Sequence, residues 1–460
     1  RPQLKTVENI TNTKLLCCNN SSITGSTVTP STITSVGSPM ARKESPGFDD
    51  PAGYVFGKSK DQNVIKCGSY IGNGSSDGPE IFCGWEPQWI LLKRSSDTGN
   101  WALFDCIRGM VTGGDDPVLQ PDLTDAEYTT TQYLDVTPTG FKLKGSFAQS
   151  NASGNYYVFT AIRRPDGYCG KPPSVGTDAF TMDWGNSTST ESWTSGFPVD
   201  YAIYRRTNYV TDWFTSARLI QGKELIPNTS AAESAWTGAY FDSDNGWGAN
   251  SGMDTSYLSY MWKRHKGFEV QRYTGKTGQQ SRAHGLNAVP EMIWAKSTNN
   301  VYEWAIGHKD LTSGWTSKHL RFTNSGEITG QQFALAPTST HWTTPNGALV
   351  NDNGEEYIAM LFASVDGICK VGSYTGNGGS RWINVGFTPR FVLIKRTDGT
   401  GDWLLCDSER GVDKNLYLNT TAASSGGQII NASGTSLGIT TLGANDYNVN
   451  NEEYIYYCHA

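Results

Sequence analysis

Short stretches of alternating bulky and small or polar positions run along this chain, each broken by Gly, Asn, Ser or Thr. "PRFVLIKRTDGTGDW", residues 389–403, shows the form: alternation into a Lys-Arg pair, a polar cluster with Gly, then a Trp. Successive side chains of a strand point to opposite faces, so the first half predicts a strand and the second a turn. No long apolar stripe of period 3.6 accompanies it, so helices are not expected. "PQWILLKRSSDTGNW", residues 87–101, repeats the phrase. Weaker copies start at Pro198, "PVDYAIYRRTNYVTDW", and at Pro290, "PEMIWAKSTNNVYEW". The separation from Pro to Trp is 14 residues in three copies and 15 in the second.

A second strand recurs 44 to 56 residues after each Trp: "YVFTAIRR" from Tyr157, "YLSYMWKR" from Tyr257, "YIAMLFAS" from Tyr357 and "YIYYCHA" from Tyr454. An Asn/Gly-rich turn such as "NASGN" precedes it. A third element opens copies one, three and four: "CGSYIGNG" at 67, "QRYTGKTG" at 271 and "VGSYTGNG" at 371. The second copy shows no such opening strand. The expected fold is therefore all-β: tandem antiparallel β-sandwich domains, four related units of about 100 residues, each large enough for its own core. Their expected bounds are 61–170, 171–266 (the divergent copy), 267–365 and 366–460. Short junctions, "GFEV" and "DGICKV", predict a stiff rod. "RRPDGYCGKPPSVG", residues 163–176, is its expected bend. Residues 1–60, with the Ser/Thr/Pro-rich "NNSSITGSTVTPSTITSVGSP", predict an extended N-terminal arm that orders against a neighbour.

Composition agrees with a β chain: 460 residues, 51 Gly, 12% aromatic and 18% charged. The net charge is −7 and no Lys/Arg run marks a nucleic-acid surface, so no nucleic-acid partner is expected. No apolar run approaches the ~18 residues of a membrane span, so no membrane insertion is expected either. The nine cysteines have no CxxC and no zinc spacing. Cys67, Cys406 and Cys458 read as reduced, buried strand residues, which favours assembly in a reducing cytoplasm.

Each recurring side chain admits a chemical reading and a plainer one. The Trp that closes each hairpin, Trp101, Trp213, Trp304 and Trp403, could be a ligand platform. Its recurrence in every copy favours a plug over the end of the sandwich core. "DCIRG" and "DSERG" place Asp105 before Arg108 and Asp407 before Arg410, and predict a turn closed by an ion pair. The pairs Glu355–Glu356 and Glu452–Glu453 start strands, so their members point to opposite faces and cannot flank one glycosidic bond. Five of the six His lie between 265 and 341 without metal-binding spacing, so no metal and no cofactor is expected. "DSDNG" at 242–246 lacks the closing ligands of a calcium loop. With no nucleophile–base set, an enzyme is not expected. Two loops, 183–197 and 234–248, carry aromatics among Gly, Ser and Asn. Trp193, Trp236, Tyr240 and Trp247 are the candidate glycan or interface contacts.

Read together, "GSYTGNG", "GFTPRFVLIKRTDGTGDWLLCDSERG" and "YIYYCHA" resemble a repeat found in structural proteins of marine tailed bacteriophages, notably those infecting cyanobacteria and related hosts. "CGSYIGNGSSDGPEIFCGWEPQWILLKR", "ASVDGICKVGSYTGNG" and, near the start, "TKLLCCNN" are similar to it as well. The resemblance covers roughly residues 11–460 and is weakest at 171–266. It implies a non-enzymatic virion protein, assembled in the host cytoplasm: a tail fibre or surface appendage that takes part in host attachment. Implied partners are other virion proteins, host cell-surface glycans, and further copies in a homo-oligomer, expected to be a trimer. The rival expectations are a carbohydrate-binding adhesin module and a subunit of an extracellular polymeric appendage.

Overall fold

The computed structural model describes residues 64–460, apart from 107, 111–112, 138, 165–172, 189–190, 237, 242, 244, 249–252, 412, 428–429 and 440–446. It also describes two short antiparallel strands, Leu16–Cys17 and Ser26–Val28. The rest of the expected N-terminal arm, the centre of the expected bend and part of the "DSDNG" loop lie outside the described residues. Within them the chain is all-β and antiparallel, with single 3-10 turns and no α-helix.

Four sheets share one plan. In the first unit the opening strand Ile65–Ile71 pairs with the closing strand Tyr156–Arg163. The closing strand pairs in turn with Pro87–Arg94, whose hairpin partner is Ala102–Asp105. The same order recurs as Phe180–Trp184, Tyr257–Trp262, Tyr201–Arg206 and Phe214–Ala217. It recurs again as Phe268–Thr274, Glu356–Phe362, Met292–Ser297 and Ala305–His308. The fourth copy is Cys369–Thr375, Glu453–His459, Phe391–Arg396 and Leu404–Asp407. The second copy therefore has its opening strand, Phe180–Trp184, contrary to expectation. Its "FTMDW" keeps the alternation but not the Gly and Tyr by which its counterparts are recognised. Smaller sheets, such as Glu80–Phe82 with Gly140–Leu143 and Leu134–Thr137, form the second layer of each sandwich.

The recurring motifs hold the opening turn to the closing strand. Tyr70, Tyr273 and Tyr374 stack on Tyr157, Tyr357 and Tyr454, with ring centroids 5.1, 5.2 and 4.9 Å apart. The hydroxyls of those closing-strand tyrosines accept the backbone N–H of Ala152, Asp352 and Val449 at 2.9, 2.9 and 3.1 Å. Asn151, Asn351 and Asn448 accept N–H bonds from Asn73, Lys276 and Asn377 in the opening turn, at 2.9, 3.0 and 2.9 Å. The two glycines of "GNG" do different jobs. Gly74 and Gly378 have φ of +66°, which favours glycine. Gly72 and Gly376 instead let two backbones meet: a Cβ would sit 2.4 Å from the carbonyl oxygen of Ala152 and 1.9 Å from that of Val449.

Each of the last three units has its own sandwich core, built for instance on Trp193 and Trp247, on Trp315 and Trp342, or on Tyr374 and Tyr456. A larger core joins the units. In units two to four it is made by the outer faces of the main sheets, and this corrects the expected rod; in unit one it continues into that unit's own sandwich core, with Ile90, Phe141 and Phe159. Units two, three and four close into a ring. The N–H of Glu233 in unit two donates to the Thr298 carbonyl of unit three at 2.6 Å. Glu327 of unit three does the same to Thr397 of unit four, and Ser424 of unit four to Thr207 of unit two, at 2.6 and 2.7 Å. The strands of these units are buried on both faces, as Tyr257–Trp262 and Glu356–Phe362 show. Such doubly apolar strands need cover on both sides, and three sheets facing one axis supply it. Trp262 meets Phe268 of unit three at 6.1 Å and Phe391 of unit four at 5.5 Å, and Phe362 meets Tyr457 at 5.0 Å.

The hairpin tryptophans Trp213, Trp304 and Trp403 belong to this shared core, not to the ends of single sandwiches; Trp101 is exposed, which corrects its expected place in a core. Trp213 donates its indole N–H to the Tyr417 carbonyl of unit four, and Trp403 donates to the Arg321 carbonyl of unit three, both at 2.8 Å. The recurring base lies beside them: Arg205 reaches the carbonyls of Thr420 and Thr421, and Lys395 that of Asn324.

Candidate functional site

The aromatics proposed for glycan or partner contact separate in the structure. Trp193 and Trp247 are fully buried and stack at 4.6 Å in the second unit's own core. Neither can present a face to a sugar; their strands pair directly, Trp193 opposite Trp247. Trp236 is half-buried, packed on Tyr204 at 5.3 Å and edge-on to Trp247 at 6.0 Å. Tyr240 alone of the four is exposed, at 37%. Loop composition misled here because Gly and Asn around a Trp accompany a buried plug as readily as a binding platform.

The "DCIRG" and "DSERG" turns are as expected. Arg108 N–H and Nε donate to Asp105 at 2.9 and 2.7 Å, and Arg410 N–H and Nε to Asp407 at 2.8 and 2.6 Å. Asp407 has an added role, accepting the Tyr260 hydroxyl of unit two at 2.7 Å. Among the expected strand cysteines, Cys406 and Cys458 are buried, whereas Cys67 is exposed on the outer face of unit one.

The sequence gives no local sign of two further clusters. His265, at the end of unit two, meets Cys369 and His459, which begin and end unit four; their ligand-capable atoms lie within 4.8 Å of one another. Hydrogen bonds define the cluster's protonation. His265 Nδ1 accepts the Gly267 N–H at 3.1 Å, which leaves that ring proton on Nε2. Cys369 Sγ donates to the Ala363 carbonyl at 3.3 Å, and His459 Nδ1 donates to the Ala460 carbonyl at 3.2 Å. Burial pushes the Cys369 thiol up to about 12. With the thiol protonated and both rings neutral, the cluster forms a polar joint between units two and four. Gly267 permits it, since a Cβ there would lie 2.6 Å from Cys369 Sγ.

The second cluster is charged. Asp200, 1% exposed, takes Arg164 at 2.5 Å, Arg218 at 3.7 Å and the Arg264 N–H at 2.7 Å. Glu86 pairs with Arg164 at 3.6 Å and with Arg264. Three arginines and two carboxylates thus lock unit one to unit two.

Burial pushes the imidazoles of His265 and His308 down to about 3, and that of His459 well below its ordinary value. Lys263 and Asp200 act on His265 with opposite signs; Lys309 adds to the fall at His308, and His265 and Arg390 to that at His459. Each ring is neutral when folded and takes up a proton on unfolding below about pH 6.5. The unfolded chain then binds more protons, so these histidines contribute full stability above that value. The contribution of His265 and His308 falls as pH drops from about 6.5 toward 3, by up to about 1.4 kcal/mol per pH unit for each, and His459 acts in the same direction. Melting temperature measured from pH 7.5 to 5 is expected to decline, and His308→Gln to flatten the slope. A level wild-type profile would contradict this.

The family described as a domain of unknown function (DUF7483) matches residues 5–164 and 179–413, and the chain belongs to it. No curated protein matches the chain.

Proposed function

We propose that this member of the DUF7483 family is a non-enzymatic structural protein of a tailed-phage particle, a tail fibre or surface appendage that takes part in host attachment. The resemblance of its repeats to those of marine phage structural proteins suggests the setting. The observation that carries a structural role is where the recurring polar and aromatic residues go. Trp213, Trp403, Arg205 and Lys395 bond to backbone carbonyls of neighbouring units, and Asp200 and Glu86 hold buried arginines between units. In this reading the partners are other virion proteins and, at the host surface, glycans. Any glycan contact falls to exposed loops such as that of Tyr240, because Trp193 and Trp247 are core.

The test is composition of the particle. Gradient-purified particles of the virus that encodes the chain should contain it at a fixed number of copies by mass spectrometry. Gold-labelled antibody should decorate a projection in electron micrographs. A protein abundant in the lysate but absent from purified particles would sink the proposal.

A further inference from the structure

Units two, three and four display one interface three times, always in the same rotational sense. It is heterologous, and its rotation closes after three copies. Unit one has the same sheet, but among the described residues the corresponding face is open. Ile65 stands where Phe180, Phe268 and Cys369 stand in the other units, each opposite the equivalent closing-strand residue. Ile65 is 45% exposed, whereas its three counterparts are buried. Val158 occupies the place of Leu258, Ile358 and Ile455; it is 41% exposed and they are buried. Trp101 is 37% exposed, against at most 1% for Trp213, Trp304 and Trp403. Lys93 bonds the Gly99 carbonyl of its own hairpin, as Lys395 bonds that of Gly401, but Arg205 and Lys395 also reach carbonyls of a neighbouring unit.

Among the described residues, the attachment of unit one to the ring leaves this face clear. Its contacts with units two and three come from elsewhere: Glu86 and Arg164 at the strand ends, and Asp77 in the turn, which pairs with Lys276 at 3.3 Å. The result is a partly exposed sheet face on which Ile65, Val158 and the half-buried Leu91, the counterpart of Ile203, Trp294 and Leu393, match apolar residues that meet around the axis inside the chain, while Thr160 takes the place of Tyr260, Met360 and Tyr457. Contiguous apolar surface of this kind marks an interface.

We propose that three copies of this chain associate through unit one. Their Ile65, Leu91 and Val158 faces meet about a three-fold axis as the faces of units two, three and four do within one chain, and each Trp101 packs on the next copy. This assignment is independent of the virion reading, because it rests only on the correspondence between the units.

Sedimentation equilibrium of the full chain tests it. The expected mass is three times the 50.2 kDa of one chain. Val158→Arg, at an exposed position, should leave the far-ultraviolet spectrum unchanged. It should weaken association by about 100-fold or more, since it places an unpaired charge in an apolar contact. Ile65→Asp, on the edge strand, should do the same and covers the case in which the first variant misfolds. A monomeric or dimeric wild-type chain, an open polymer, or a trimer that survives both substitutions would each overturn the proposal. So would a monomer that becomes trimeric only when residues 1–63 are removed, which would show that the chain's own N-terminal segment covers the face.

Discussion

Trp403→Ala is expected to destabilise the full chain by about 3–5 kcal/mol, the range for deleting a large buried aromatic. Trp403 is 1% exposed and sits where units three and four meet. Its ring lies edge-on to Phe322 with centroids 5.2 Å apart, and its indole N–H satisfies the Arg321 carbonyl. Alanine removes the ring and leaves that carbonyl without its donor, so the transfer, cavity and hydrogen-bond losses add. Trp403→Phe keeps a ring and loses chiefly the hydrogen bond, and should cost about 1–2 kcal/mol. Denaturant unfolding of the full chain reads both. Because the tryptophan joins two units, the fourth unit expressed alone should be nearly indifferent to the substitution. A large effect there with none in the full chain would return Trp403 to a role within a single sandwich.

Asp200→Ala should cost about as much, 3–5 kcal/mol, by a different route. The carboxylate faces Arg164, Arg218 and Arg264, and its loss would leave Glu86, with Glu269 acting on Arg264, against three buried guanidinium groups. Taking one partner from a buried ion cluster leaves charge without compensation, and this costs more than the pair contributed. Asp200→Asn keeps the shape and should still lose most of the stability, which separates charge from packing. The exposed pair of Asp77 with Lys276 is the contrast: solvent screens it, and Asp77→Ala should change stability by less than about 1 kcal/mol. Equal losses at Asp77 and Asp200 would show that burial does not set the scale.

The sequence determined the strands and their repetition. Alternation, the Pro and Trp that bracket each hairpin, and the tyrosines of "GSYTGNG" and "YIYY" act within one sheet, over pairings set by local geometry. The Asp-Arg turns were legible for the same reason: three residues fix both partners. The opening strand of unit two is not legible because "FTMDW" keeps the period but lacks the Gly and Tyr that mark its counterparts. Which face of each sheet is covered, and by what, was decided only in the tertiary structure. A strand apolar on both faces announces that it needs two neighbours, not whether the second is its own sandwich layer or another unit. Trp193 and Trp403 therefore look alike in sequence, although one fills a unit's own core and the other joins two units. The His265–Cys369–His459 joint and the Asp200 cluster likewise draw on strand ends far apart in the chain. The joint's ends meet because three sheet faces exclude water around one axis, and the cluster's because unit one docks on unit two; both depend on area buried between units and leave no spacing to read along the sequence.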